Sequence, residues 1–256
     1  MPFKQVIEES SQKKESNIIL AIDLPPTESD VLLHKALMIL DAVEDQICAV
    51  KFNRHLVLPL GLFAGVQKLL KRANEYGLPT IMDCKINDVG STNKIIAEHY
   101  YKAGFNALTA NPFVGWKEGM QPVFEIAKQY DRGVILLVFM SHEGSSEGYG
   151  QEVFVEKTGL PTFQYEIFAQ KALEWGADGV VVGATYPKRI EGVHSILGKS
   201  VPIYSPGVGA QGGKIEDAVR GGARYLIVGR AITMTEDPLQ AAKSLKIAAQ
   251  KAIYSL

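Results

Sequence analysis

Short apolar runs rich in β-branched residues recur along the chain, each followed by polar or glycine-containing turn residues and then by a stretch with helical spacing. The runs at residues 18–22, 47–52, 79–85, 107–110, 134–139, 179–182, 201–204 and 225–228 predict eight strands. Helices are expected over 29–44, 62–76, 91–102, 118–129, 162–175, 187–197, 215–221 and 238–253. Gly77, Gly104 and Gly176 fall just beyond three of them, where a left-handed residue closes a helix. Eight alternating units favour a closed parallel barrel over an open doubly wound sheet, which more often stops at about five to seven strands. The expected fold is therefore α/β, a single (β/α)8 TIM barrel over residues 18–256, preceded by a polar N-terminal extension over 1–17. Residues 141–161 interrupt the rhythm with His-Glu-Gly-Ser-Ser-Glu-Gly-Tyr-Gly, and their glycines and serines predict a mobile loop rather than a linker or a second domain.

Composition narrows the function. The chain has 256 residues, 46% hydrophobic and 21% charged, with a formal net charge of -1. Nothing in that balance points to a nucleic-acid groove or a membrane surface. Residues 1–17 carry Lys4, Glu8, Glu9, Lys13, Lys14 and Glu15 and lack the apolar stretch of a secretory signal. The most apolar run, 134–140, is far shorter than the roughly 20 residues of a membrane span, so a cytoplasmic protein is expected. Cys48 and Cys84 lie in strand runs without zinc-type spacing and are expected to be reduced, buried thiols. His34, His99 and His194 lie in helical stretches without a metal-spaced partner, while His55 and His142 are expected in loops near strand ends. Trp116 and Trp175 are expected to pack rather than to stack on a base.

The chemistry concentrates at strand ends. In Ile81-Met82-Asp83-Cys84-Lys85-Ile86-Asn87-Asp88 an apolar strand acquires two charges before it ends. Strand side chains alternate, so Asp83 and Lys85 share a face while Met82 and Cys84 point the other way. A charged pair at the inner mouth of a barrel is costly to desolvate without surrounding charges and hydrogen bonds, which favours a catalytic role. Asp88, before the next helix, could equally be a cap. Lys51 ends the second strand and Asp23 follows the first, where it could also serve a turn. Together Asp23, Lys51, Asp83 and Lys85 reach the C-terminal rim, where barrel enzymes place their active sites.

After the seventh strand comes Ser205-Pro206-Gly207-Val208-Gly209-Ala210-Gln211-Gly212-Gly213, and after the eighth Val228-Gly229-Arg230. These loops form the recurrent phosphate site of this fold, because backbone N–H groups of glycine-rich turns converge on an anion. Pro206, Gly209 and Gly229 are expected to line the ligand, with Gln211 donating a hydrogen bond and Arg230 a fixed cationic fork.

These segments resemble one family. Asp83-Cys84-Lys85-Ile86-Asn87-Asp88 fits the Asp-x-Lys-x-x-Asp signature of orotidine 5′-monophosphate decarboxylases. Ala21-Ile22-Asp23, Val50-Lys51-Phe52, Met140-Ser141-His142-Glu143-Gly144 and the two phosphate-loop segments resemble the family's others, in the same order. The resemblance implies conversion of orotidine 5′-monophosphate to uridine 5′-monophosphate, the last step of de novo UMP synthesis, without metal or organic cofactor. It implies that Lys85 protonates the C6 carbanion, with Asp83 beside the departing carboxylate. It further implies a homodimer in which Asp88 and Thr92 enter the partner's site, Asp88 joining the charged array and both touching the ribose. Asp23 and Lys51 would bind ribose hydroxyls. Ser141 would bond the pyrimidine and meet Gln211, and Gln211 and Arg230 would hold the 5′-phosphate. Val89 could place an apolar contact near the carboxylate. The extension and residues 145–159 fall outside the matched segments.

Two other readings exist. A magnesium-dependent sugar-phosphate decarboxylase or hexulose-phosphate synthase would share the signature, but the segments at residues 140–144 and 206–213 resemble the pyrimidine-nucleotide branch. A non-catalytic phosphate sensor would account for Arg230 and the glycine loop, but gives no reason to concentrate Asp83, Lys85 and Asp88 at one rim.

Overall fold

A computed structural model describes residues 1–156 and 159–255. Eight parallel strands close into a barrel: β1 (Ile18–Ala21), β2 (Ala49–Asn53), β3 (Thr80–Ile86), β4 (Ala107–Ala110), β5 (Gly133–Phe139), β8 (Gly179–Val182), β9 (Ile203–Pro206) and β10 (Ala223–Val228). Each predicted strand is present, two of them with the expected bounds and the others with ends within two residues of expectation. Every residue of β1, β4, β5 and β8 is buried, as strands covered by helices outside and packed side chains inside must be.

The helices follow from apolar stripes. In α2 (Ser29–Val43), Leu32, Ala36, Leu40 and Val43 are buried at helical spacing against the barrel. In α5 (Gly90–Ala103), Asn93, Ala97 and Tyr101 form the inner face. Gly77, Gly104 and Gly176 all have positive φ, as their helix-closing role requires. The other barrel helices are α4 (Val66–Glu75), α6 (Gln121–Gln129), α8 (Gln164–Glu174), α9 (Pro187–Leu197), α10 (Ile215–Arg220) and α12 (Pro238–Tyr254).

Three segments differ from expectation. Residues 3–13 form a helix, α1, whose Phe3 and Ile7 are buried. It is fastened near the strand starts by the Ser10 hydroxyl donating to Cys48 O and by Arg224 pairing with Glu8. The sequence also leaves α3 (Arg54–Leu60) unmarked; Pro59 within it and the π-type turn Gly61–Gly65 separate it from α4 and obscure its period. His55 consequently sits in a helix, not a loop.

The stretch expected as one loop contains a short helix, α7 (Ser145–Gly148), and an antiparallel hairpin of β6 (Glu152–Val155) and β7 (Leu160–Phe163). Glycine and serine punctuate the stretch, but Val153, Phe154 and Val155 suit a strand, and α8 therefore starts at Gln164 rather than 162. Residues 157 and 158, within that stretch, lie outside the described residues. Phe163 and Tyr165 stack at 5.7 Å, and the Arg189 guanidinium lies 4.9 and 4.7 Å from their centroids, tying the hairpin base to α9. Among the described residues, no helix is long and apolar enough to cross a membrane.

Candidate active site

At the C-terminal ends of the strands lies a cavity of ≈ 200 Å³. Ile81, Ile135, Leu137, Val181 and Ile227 give it apolar walls, and Asp23, Lys51, Asp83, Lys85 and Thr109 give it polar ones. Ser141, Pro206, Gln211, Gly229 and Arg230 also line it. Nine of the twelve predicted residues line it, and Gly209, Asp88 and Thr92 lie outside the lining.

Asp83 is the centre of the array. Lys51 Nζ donates to its Oδ2 at 2.8 Å, and Lys85 Nζ donates to its Oδ1 at 2.7 Å. Burial pushes the Asp83 carboxyl up, but the two ammonium groups override it and hold it well below the usual carboxylate range. Burial also opposes charge on Lys51, yet Asp83 and Asp23 raise its pKa above the ordinary lysine value. Asp83 and Lys51 are therefore held ionised with little solvent around them.

The backbone beneath the array is irregular. Met82 pairs with Leu108 and Ile86 with Ala110, so four steps along β3 match two along β4. Lys85 takes φ 50, a left-handed conformation that is costly for a residue with a Cβ. Simple alternation anticipates the shared face of Asp83 and Lys85 but not this bulge. Thr109, unmarked in the sequence reading, sits opposite the bulge, donating to Asp83 Oδ1 at 2.9 Å and accepting from Lys85 N–H at 3.0 Å. A threonine inside the apolar run 107–110, one strand from the signature, was the available signal. Cys84 points away and is buried, its thiol pushed up to about 12 by desolvation.

Asp23 Oδ1 is buried without a hydrogen-bond partner among the described residues, and His55 Nε2 lies 3.9 Å away. A Cβ at Gly229 would lie 2.9 Å from Asp23 Oδ2, so glycine there permits the close approach of strand ends β1 and β10. Gly207, at φ +96, likewise leaves room: its Cβ would lie 2.9 Å from Gln211 Oε1 and 3.1 Å from Ser141 Cβ. Ser141 and Gln211 thus face the same gap. The Ser141 carbonyl accepts from Thr185 Oγ1, and the Tyr186 hydroxyl donates to His142 O, which anchors this segment.

The glycine loop differs from expectation in one respect. The N–H groups of Gly209, Ala210, Gly212 and Gly213 donate to carbonyls within the loop itself, because its left-handed glycines curl it back on Gly207 and Val208. Those groups are occupied rather than aimed at an anion. The side chains of Gln211 and Arg230, the latter at the start of α11 (Arg230–Thr233), supply the polar rim instead.

Asp88 is exposed just before α5, its Oδ1 accepting from Val89 N–H. Buried Asn93 clamps it by accepting from Asp88 N–H at 3.0 Å and donating to Asp88 O. Val89 is 63% exposed and is not in the cavity lining. Trp116 and Trp175 pack on each other at 5.2 Å, as expected.

Comparison with known proteins agrees with this geometry. Residues 16–245 match the family model described as orotidine 5′-phosphate decarboxylase / HUMPS family. Orotidine 5′-phosphate decarboxylase of Methanosarcina barkeri is 37% identical over 238 residues, covering 93% of this chain and 96% of that protein. The crystal structure of orotidine 5′-monophosphate decarboxylase from Methanocaldococcus jannaschii, complexed with inhibitor BMP, superposes with a TM-score of 0.75 at 28% identity, covering 91% and 98% of the two chains. UMP synthase of Leishmania donovani shares the fold, with a TM-score of 0.85 at 23% identity, and this chain spans 57% of it. With its cavity, its charged array and its sequence pointing the same way, the chain belongs to the orotidine 5′-phosphate decarboxylase family.

Proposed function

We propose that this protein decarboxylates orotidine 5′-monophosphate to uridine 5′-monophosphate in the cavity at the strand ends. The observation that carries the reading is the Lys51–Asp83–Lys85 array, its first two members buried and its bonds 2.8 and 2.7 Å, on the wall of a cavity rimmed by Arg230. In this reading Gln211 and Arg230 meet the 5′-phosphate, with Pro206, Gly209 and Gly229 beside it. Asp23 and Lys51 hold the ribose, and Ser141 faces the base. Asp83 then lies beside the substrate carboxylate. When the C6–carboxylate bond breaks, carbon dioxide leaves and the electron pair stays on C6. The Lys85 ammonium stabilises that pair and transfers a proton to it, and Lys85 regains a proton from solvent. Binding of the remote phosphate supports closure and loss of water around the reacting atoms.

The magnesium-dependent alternative is not favoured. Each Asp83 oxygen accepts from an ammonium group, which competes with coordination of a dication.

A second copy of the chain completes the site in this reading, supplying Asp88 and Thr92. Both lie outside their own chain's cavity, and Phe63, Val89 and Ile95 expose 61%, 63% and 55% of their surface around α5. Mixing Lys85→Ala and Asp88→Asn proteins, each inactive alone, should restore about a quarter of the activity, since half the random dimers carry one intact site of two. Absence of any recovery would remove the shared site. The buried, unpaired thiols of Cys48 and Cys84 fit a cytoplasmic setting.

The first test is loss of absorbance of orotidine 5′-monophosphate with chelator present. Turnover is expected, and Lys85→Ala should lower it by about 10³-fold or more, as removal of a general acid and its charge does. A folded wild-type protein without turnover would overturn the reading.

A further inference from the structure

We infer that Thr109 is a positioning residue of the reacting centre, locking the Asp83 carboxylate to the backbone of Lys85. Its hydroxyl is buried and has two partners on β3, Asp83 Oδ1 at 2.9 Å and Lys85 N at 3.0 Å. The direction of both bonds is settled by chemistry. An ionised carboxylate can only accept and a backbone N–H can only donate, so the single hydroxyl proton goes to Asp83 and a lone pair faces Lys85.

This arrangement resolves two local problems. The β3 bulge places Lys85 at φ 50 and takes its amide out of a regular ladder, and the threonine hydroxyl satisfies that amide. Asp83 Oδ1 also receives Lys85 Nζ, so one carboxylate oxygen is fixed from two sides while Oδ2 receives Lys51. A β-branched side chain on a strand has few χ1 choices, so the hydroxyl is preset rather than recruited. Without it, the carboxylate plane could turn toward Lys51 and the strained backbone of Lys85 would lose its anchor. Thr109 touches the groups that act, not the bond that breaks.

The kinetic part of the test rests on the decarboxylase reading. Thr109→Val keeps the shape and removes the hydroxyl; Thr109→Ser keeps the hydroxyl. The valine variant should lose about tenfold or more in kcat, the usual scale for a hydrogen bond to a charged group, with KM changed less than about threefold. The serine variant should recover most of that loss. Equal kcat in the valine variant and wild type, or equal losses in both variants, would overturn the inference.

A second readout does not depend on turnover. Removing a donor makes Asp83 easier to protonate, so acid unfolding followed by circular dichroism should begin at higher pH in Thr109→Val than in wild type or Thr109→Ser. In an Asp83→Asn background the valine substitution should add a smaller shift, since only the contact to the Lys85 amide is then lost; an equal shift there would remove the Asp83 contact from the role of Thr109. If wild type shows no turnover, the decarboxylase reading fails and this arm alone decides the role of Thr109.

Discussion

Two ion pairs at opposite ends of the barrel have nearly the same length and different surroundings. At the strand ends Lys51 and Asp83 meet at 2.8 Å, with side chains only 6% and 12% exposed. At the strand starts Arg224 and Glu8 meet at 2.7 Å, with side chains 44% and 39% exposed. The outer pair fastens α1 to the barrel, and water screens it. The inner pair has been taken out of water, which costs more than a structural clasp returns unless the field it creates is used. Geometry alone does not separate the two roles; burial beside a cavity does.

The largest expected stability effect comes from Asp83→Asn, which removes the carboxylate that Lys51 and Lys85 share and leaves Asp23 as counter-charge to Lys51 alone. Loss of about 3–5 kcal/mol is expected from denaturant unfolding at neutral pH, the range for breaking a buried pair from one side. A neutral result would mean that water or rearrangement relieves the lysines, and the contrast between the two ends would shrink. The pH dependence sharpens the same point. The folded-state pKa of Asp83 lies below its unfolded value, so its contribution is full above the unfolded carboxylate range near about pH 4 and is lost as pH falls through the folded value. Wild-type stability should therefore fall more steeply on acidification than that of Asp83→Asn.

Phe3→Ala should cost about 3–5 kcal/mol through loss of a buried aromatic side chain, at or below the Asp83 effect, and should leave kcat unchanged. A change in kcat would connect α1 to the cavity. The smallest effect is expected from Glu8→Gln, about 0–1 kcal/mol in thermal or chemical unfolding and reduced further by salt. A loss comparable with that of Asp83→Asn would show that exposure is not what separates the pairs.

The barrel was legible because each strand run and each helical stripe is a local pattern, and Leu32, Ala36, Leu40 and Val43 carry theirs openly. Asp23, Lys51, Asp83 and Lys85 were legible because charges at the ends of apolar strands conflict with burial. What escaped has physical reasons. The hairpin of β6 and β7 is masked by a glycine-rich composition, and α3 by Pro59 within it. Thr109 looks like an ordinary strand residue, since β-branched side chains suit strands whether or not their hydroxyl is used. The curled glycine loop satisfies N–H groups that sequence pattern alone offers to an anion.

The sequence by itself determined the alternation of strands and helices, the signature from Asp83 to Asp88 and the glycine segments after the last two strands, because periodicity and spacing are properties of the chain. Only tertiary structure decided that Lys51, Lys85 and Thr109 converge on one carboxylate, that Lys85 sits on a bulge with φ 50, and that Asp88 lies outside the lining of its own cavity. Those outcomes depend on how β2, β3 and β4 align when the barrel closes, and register between strands is set by packing across the whole sheet rather than by any one segment.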